Sequence, residues 1–348
     1  VVYPIGVLAG AVWLAPHWGV RGLAVGAVIG AVLHLAIKIP GLIRYGFRWR
    51  PVLRAGDGAV RKVAALLGPR MLDLGVFHLT LLATTNLASR LGSGSVSALE
   101  WGWDAMQLPE TIIGTAFGLV AFPTMADLAA RGDRAGLAAT LSESLRTVLT
   151  LAVPAAVGLI LLGRPLLALL YQRGAFDAGA TEAVYVALRF YALGLTAHVC
   201  LELAARTFFA QQDTITPLLL AAASAAANIL LAALLMGPLG HGGLALANSV
   251  AVTLEVLALL VLLQRRLGEV IDRDFGRLMA RLLIASAAMG GAILLLTTFA
   301  GRASWGNLVT LAGAGAVGGG VYLGVCQALQ VRELTRFVRA VIGREAQT

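Results

Sequence analysis

Long apolar runs dominate the chain, and short clusters of charge, proline and glycine separate them. A membrane-spanning helix needs about 20 mostly apolar residues. Breaks at those clusters place candidate spans at residues 1–15, 22–43, 63–91, 98–127, 138–163, 182–209, 217–236, 242–263, 281–300 and 306–329, the first of them partial. The runs are continuous rather than alternating, which argues against a β-barrel. The predicted class is therefore an all-α polytopic membrane protein. Between Asp213 and Glu255 lie forty-one residues without Asp, Glu, Lys or Arg, too many for one span. Met236-Gly237-Pro238-Leu239-Gly240-His241-Gly242-Gly243 divides that run into a tight helical hairpin. Thr216-Pro217 reads as N-cap and first helical residue of its first arm. Val1 opens inside an apolar run with no initiator Met and no cleavable signal. The chain reads as the C-terminal part of a longer protein.

Composition sharpens this picture. Of 348 residues 59% are hydrophobic and 13% charged, about half the charge of a soluble domain. That excludes an ordinary cytosolic enzyme, and the high apolar content excludes a disordered chain. The net charge of +9 is mostly arginine. With alternating loops, one side collects 18 basic residues: Arg44, Arg48, Arg50, Arg54, Arg61, Lys62, Arg131, Arg134, Arg146, Arg265, Arg266, Arg273, Arg277, Arg281, Arg332, Arg336, Arg339 and Arg344. The other side has 5, namely Arg21, Arg90, Arg164, Arg173 and Arg302. The positive-inside rule then puts the C-terminus in the cytoplasm. Membrane headgroups account for the basic loops, and no nucleic-acid partner is expected. In the tail, Val331, Leu334, Phe337, Val338 and Val341 alternate with arginines, as in an amphipathic helix lying on the inner leaflet; a solvated tail fits as well.

Ionisable groups at membrane depth cost at least about 2.5–3.5 kcal/mol each on insertion scales, so those present suggest a cavity or a partner. The third span carries Arg70, Asp73 and His78. The fourth carries Glu100, Asp104 and Gln107 on one stripe, with Glu110 beyond. The sixth carries Glu182, Arg189, His198, Glu202 and Arg206, with Glu202 and Arg206 at i, i+4 in the order that favours a pair. Arg70, Asp73, His78, Glu100, Asp104, Glu202 and Arg206 are the candidate cavity residues. Glu110, Glu182 and Arg206 also fit side chains that snorkel to the interface. Glu255 with Asn228, Ser249 and Thr253 offers oxygens for a hard cation; inter-helix hydrogen bonding explains the same residues. Gly22, Gly26 and Gly30 form a small-residue ridge, and Gly315, Gly319 and Gly320 crowd the last span, both read as helix packing. Pro109, Pro123 and Pro154 are expected to bend their helices. Cys200 and Cys326 and the five scattered histidines give no disulfide or metal-ligand spacing. No phosphate-binding loop, Ser/His/Asp set or acidic metal motif appears, so a transporter, not an enzyme, is expected, with no cofactor.

Several strings recur in a specific order. These are Gly41-Leu42-Ile43-Arg44-Tyr45-Gly46-Phe47, Leu67-Gly68-Pro69-Arg70, Ala88-Ser89-Arg90-Leu91 with Gly94-Ser95-Val96-Ser97, Met106-Gln107-Leu108-Pro109, Phe122-Pro123-Thr124, Tyr171-Gln172-Arg173-Gly174-Ala175-Phe176-Asp177, and Phe208-Phe209-Ala210-Gln211-Gln212-Asp213-Thr214-Ile215-Thr216-Pro217. In this order the chain resembles the MurJ (MviN) lipid II flippases, within the multidrug/oligosaccharidyl-lipid/polysaccharide exporter superfamily. The resemblance implies a fourteen-helix fold of two six-helix lobes around a central cavity, plus two further helices that form a lipid groove. Mapped so, residues 1–58 end the first lobe, 59–266 form the second six-helix lobe, 267–330 hold the two extra helices and 331–348 the tail. The first four helices are absent.

It further implies a bacterial cytoplasmic-membrane protein of cell-wall synthesis. It would flip an undecaprenyl-pyrophosphate-linked peptidoglycan precursor from inner to outer leaflet by alternating access. Na+, H+ or the membrane potential would drive it, with membrane lipids and cell-wall synthesis proteins as further partners. The alternative is an exporter of another lipid-linked glycan, or a cation-coupled drug antiporter of the same superfamily. The family's cavity arginines suit pyrophosphate through bidentate geometry. The best known of them lie on the missing helices, and a further one aligns with Asp104. An acid there departs from the pattern; pairing with an arginine of the missing lobe or coupling to a cation are its two readings.

Overall fold

A computed structural model describes residues 2–44, 58–302, 306–331 and 333–334; the side chains of 2, 59–66, 69, 70, 73, 301 and 302 lie outside the described set. The basic loop at 45–57 and the tail from 335 onward also lie outside it. Every regular element described is a helix. In chain order these are α1 (Val2–Ala9), α2 (Ala15–Trp18), α3 (Val20–Arg44), α4 (Gly58–Ser89), α5 (Ser95–Glu110), α6 (Ala116–Ala130), α7 (Arg134–Tyr171), α8 (Ala178–Ala210), α9 (Ile215–Leu239), α10 (His241–Leu267), α11 (Arg273–Arg302) and α12 (Asn307–Ala328). π-helical turns, Gly10–Leu14 and Thr111–Thr115, join α1 to α2 and α5 to α6. Among the described residues eight helices are long and apolar enough to cross a membrane. Within α4 the described apolar stretch is Leu74–Ser89.

The chain divides into two compact units, residues 1–64 and 65–348. In the first, α1 and α3 form a hairpin along facing glycines. A methyl group built at Gly26 would sit 2.6 Å from the Gly10 Cα and 2.8 Å from the Gly6 carbonyl oxygen. Gly22, Gly26 and Gly30 are buried. The expected ridge is a packing surface, and Gly6 and Gly10 are the half of it that the spacing of α3 alone does not reveal.

In the second unit α8 is central and packs against α5, α7 and α10. Leu141, Leu145, Val148 and Ala152 of α7, Leu188, Ala192, Leu195, Val199 and Leu203 of α8, and Val252, Val256, Leu259 and Leu263 of α10 are buried. Each set repeats at three or four residues, the stripe of a packed helix. Where α8 crosses α10, a methyl at Gly194 would lie 2.6 Å from Ser249 Oγ, and that hydroxyl donates to the Phe190 carbonyl at 2.7 Å. Outward-facing side chains are large and apolar, including Leu219, Leu230 and Leu234 on α9. In lipid such a surface carries no penalty.

The prolines do not break their helices. α7 runs through Pro154 and Pro165 and at 1.5 Å per residue is roughly 57 Å long, more than the ~30 Å hydrocarbon core. Pro154 has no N–H for the Thr150 carbonyl four residues earlier. The Tyr322 hydroxyl of α12 donates to that carbonyl at 2.6 Å, so a lost backbone bond becomes a bond between helices. Among the described residues the α12 glycine in close contact is Gly318, against Ile293 and Met289; Gly315, Gly319 and Gly320 have nothing within 4 Å. This corrects the expected packing set by one face of the helix.

Turns and caps follow local chemistry. Gly240, at φ +57, is the single residue joining α9 and α10, within the expected hairpin. The start of α9 differs from the expected Thr216-Pro217 cap. Asp213 accepts from the Ile215 and Thr216 amides at 3.2 and 2.9 Å, and the Thr216 hydroxyl donates to its other oxygen at 2.6 Å. A carboxylate can satisfy both orphan amides and the hydroxyl at once, which a threonine cannot. Asp133 and Asp177 cap α7 and α8, each at 2.8 Å.

Two ion-pair knots gather one end of the helices. Arg146 donates to both Asp272 oxygens at 2.6 and 2.8 Å, with Glu333 at 3.9 Å. Arg266 reaches Asp213 at 2.6 Å and Thr216 at 3.1 Å. The first third of α7 is thereby tied to the α10–α11 turn and the segment after α12, and the end of α10 to the α8–α9 turn. Val331 and Leu334 are buried in the protein rather than presented to a leaflet; the rest of the expected amphipathic tail lies outside the described residues.

Candidate functional site: a polar cavity in the helix bundle

Inside the second unit lies a cavity of about 710 Å³ walled by α4, α5, α8, α9 and α10. A second space of about 540 Å³ adjoins it, nearer the α8–α9 turn. His198, Leu201, Glu202, Ala221 and Glu255 line both, so the two form one track. Its polar groups arise from the stripe on α5 and its counterparts. Glu100 and Asp104, one turn apart, line the larger part, with Glu202 and His198 of α8, Asn228 of α9, and Asn248 and Glu255 of α10. Thr80, Thr84 and Thr85 of α4 and Ser224 of α9 add hydroxyls.

The geometry organises these groups. Arg206 donates Nε–H to Glu202 Oε2 at 3.0 Å, along the helix. It lies over Gly118 of α6, where a methyl would come within 2.6 Å of Nε; glycine there makes room for the guanidinium. Glu110 lines the smaller space with Arg206. It stands at the π-helical turn Thr111–Thr115, just past Pro109, a backbone irregularity of the kind that recurs at functional sites. His198 donates Nε2–H to Asn248 Oδ1 at 3.2 Å, taking the amide oxygen as acceptor. The Trp103 ring meets His198 and Tyr191 edge-on, at 5.1 and 5.3 Å between centroids. Among the described residues the Oδ1 of Asn228, a residue 5% exposed, has no hydrogen-bond partner.

Not every candidate from the sequence comes to this place. Glu100, Asp104, Glu202, Asn228 and Glu255 line the larger space, and Arg206 the smaller. His78 is exposed, edge-on to Phe77 at 5.7 Å, and lies outside both linings. Ser249 is buried in the α8–α10 crossing, and Thr253 donates to the Ser249 carbonyl at 2.6 Å. Their hydroxyls serve the helices rather than a cation in the cavity. The Arg70 and Asp73 side chains lie outside the described residues. Glu182 pairs with Arg164 at 2.9 Å between α8 and α7, half exposed. Among the described residues no group of three or more His, Cys, Asp or Glu could hold a metal. Sequence reasoning missed Asn248, Trp103 and the α4 threonines, because neutral polar residues in an apolar run carry no charge signal.

The matching family model, described as Lipid II flippase MurJ, covers residues 1–311. The chain belongs to the MurJ family. The lipid II flippase MurJ of Burkholderia cenocepacia is 31% identical over 272 residues, 76% of this chain and 53% of that protein. The probable lipid II flippase MurJ of Vibrio cholerae is 31% identical over 315 residues, 89% of this chain and 60% of that protein. The chain thus spans little more than half the length of these MurJ relatives. A solved structure of lipid II flippase MurJ in an inward closed conformation superposes with a TM-score of 0.78 at 23% identity, over 96% of this chain and 67% of that one. That likeness establishes the fold: an all-α, multi-pass helical bundle like that of MurJ.

Proposed function

We propose that the chain is the cavity-bearing part of a transporter that moves a lipid-linked peptidoglycan precursor from the inner to the outer leaflet of the bacterial cytoplasmic membrane. The match of the flippase family across residues 1–311 carries this reading. The polar track supports it: a headgroup crossing lipid needs a path of hydrogen-bonding groups, since each unsatisfied polar group in hydrocarbon costs several kcal/mol. Glu100, Asp104, Glu202 and Arg206 supply such groups within an apolar exterior. Alternating access, in which one lobe rocks against another, is the proposed mode, with an ion gradient or the membrane potential as its source of energy and no catalytic step.

The arginine-rich end, where Arg146 pairs with Asp272 and Arg266 with Asp213, is proposed to face the cytoplasm. Residues 59–266 are proposed as one lobe of the transporter and 267–330 as an appended helix pair. No structural observation here favours the drug-antiporter alternative over this reading.

The test is rescue of a bacterial strain depleted of its own flippase by the gene encoding this chain, expressed entire. Outer-leaflet precursor is measured by accessibility to an externally added degrading enzyme. Recovery of accessible precursor is expected. A membrane-inserted protein that restores none refutes the reading.

A further inference from the structure

Residues Ser95–Ala130 make one apolar span, built of two helices that are held very differently. α5 buries six of its sixteen residues, Ser95, Ala98, Leu99, Gly102, Ala105 and Met106, whereas among the described residues α6 buries two of fifteen, Gly118 and Met125. Rings grip α5 on both sides. Trp101 meets Tyr171 and Phe176, from the string at 171–177, at 4.6 and 5.9 Å between centroids; Trp103 meets Tyr191 and His198 of α8. A methyl built at Gly102 would lie 2.9 Å from the Ala187 Cβ and 3.1 Å from the Leu188 amide nitrogen, so α5 and α8 touch closely. α6 rests on softer partners. Gly118 faces the flexible end of Arg206, and the Met125 sulfur accepts from the Thr207 hydroxyl of α8 at 3.6 Å.

Between the two helices the backbone ladder is irregular. Pro109 has no N–H for the Ala105 carbonyl. The Thr111 amide is shared between the Gln107 and Leu108 carbonyls, and the Ala116 amide reaches back only to the Ile113 carbonyl. The turn Thr111–Thr115 is π-helical. Prolines and π-turns are among the few features that kink a helix, and π-turns inside helices recur at functional sites. The joint also divides the cavity. Glu100, Trp103 and Asp104 of α5 line the larger space, which no described residue of α6 reaches. Phe122 of α6 lines the smaller one, with Glu110 at the joint itself.

We infer that residues 109–115 are a hinge, about which α6 turns while α5 stays fixed to α8 and to the α7–α8 turn. Hinges are a few residues that absorb the backbone change between rigid parts, and the half with fewer buried contacts is the one that moves. The motion reshapes the smaller space, through Phe122 and the Gly118 face under Arg206, and leaves the α5 wall of the larger space as it is. The inference adds a moving part to the transport reading above. It is tested by distances in the purified chain and not by translocation, so the two fail separately.

The experiment measures spin-label distances in the full chain, reconstituted in lipid nanodiscs; the native Cys200 and Cys326 are buried. One pair joins Thr124→Cys on α6 to Leu230→Cys on α9, and the reference pair joins Ser97→Cys on α5 to the same Leu230→Cys, all at exposed positions. The α6 pair is expected to show two distances, and the α5 pair a single narrow one. A π-turn holds one residue more than an α-turn, so deleting Ile112, 70% exposed, leaves a plain α ladder between helices that keep their register. In that variant the α6 pair loses its second distance, with unchanged thermal unfolding. Pro109→Ala, which restores an amide to the ladder, shifts the populations the same way. An α6 pair as narrow as the reference in the native chain overturns the inference. So does a folded deletion variant that keeps both distances, or an α5 pair that spreads as widely as the α6 pair. Where the deletion does not fold, the native comparison and Pro109→Ala decide.

Discussion

In the unit of residues 1–64, backbone meets backbone, with Gly6 and Gly10 directly against Gly26 and Gly30 and no side chain between them. In the longer unit, α7, α8 and α10 meet through Leu145, Leu188, Leu195, Leu203 and Leu259, and polar bonds close the gaps that proline and glycine leave. The contrast shows two solutions to one problem. In lipid the hydrophobic effect does not drive helices together, because tails are as apolar as leucine. Helices must either approach closely enough for many backbone contacts or exchange hydrogen bonds that lipid cannot offer. The hairpin uses the first means, and the bundle adds the second. The second also leaves room for a polar cavity, which a glycine-to-glycine seam cannot contain.

The glycine seam should break most completely. Gly26→Leu forces a branched side chain into backbone and is expected to destabilise the hairpin by at least the 1–3 kcal/mol typical of overpacking. Gly291→Leu on α11, where nothing lies within 4 Å, should change stability by no more than about 0.5 kcal/mol. Thermal unfolding of the detergent-solubilised protein compares the two. Equal melting temperatures would show that the seam does not hold the hairpin.

In the bundle, Tyr322→Phe removes the donor to the Thr150 carbonyl and is expected to cost about 1–3 kcal/mol, because the acceptor is left buried. In a Pro154→Ala background residue 154 regains its N–H, and the same Tyr322 change should then cost under about 0.5 kcal/mol. The double-mutant cycle measures this coupling. A penalty that stays the same in both backgrounds would mean that Tyr322 acts by packing alone.

The smallest expected effect lies at the ion-pair end. Burial acts to raise the pKa of Asp213, but hydrogen bonds from the Thr216 side chain and amide and from Arg266, with the charge of Arg266, outweigh it and hold the carboxyl at about 2. The group is depressed on folding. Its contribution is therefore complete above the ordinary carboxylate range near 3.9 and is lost as pH falls through about 2. Melting temperature should drop more steeply between about pH 4 and 2 in the native chain than in Asp213→Asn. Parallel curves would contradict the assignment.

Much of the fold was legible because each element satisfies local rules. Apolar length marked the spans, Gly240 beside Pro238 marked the hairpin, and Glu202–Arg206 at i, i+4 marked the pair. What could not be read depends on which face of a helix finds a neighbour. Gly318 rather than Gly315 or Gly319 touches α11 because register between helices is a tertiary fact. Ser249 and Thr253 looked like cation ligands in one dimension, but hydroxyls on a helix often bond a nearby carbonyl, as both do. Asn248 and Trp103 carry no charge, so nothing in the run distinguishes them until α5 and α10 face the same space.

The central claim is that the polar track is open to water while the opposite face of the same helix meets lipid. Ala221 and Leu219 of α9 test it directly. They stand two residues apart, about 200° around the helix. Ala221 lines both parts of the cavity, and Leu219 points outward, 63% exposed. Single cysteines at each position are treated in proteoliposomes with a charged maleimide; the native Cys200 and Cys326 are buried. The account predicts rapid labelling of Ala221→Cys and none of Leu219→Cys, since a thiol in hydrocarbon does not form the reactive thiolate. The reverse pattern, or equal labelling of both, would contradict it.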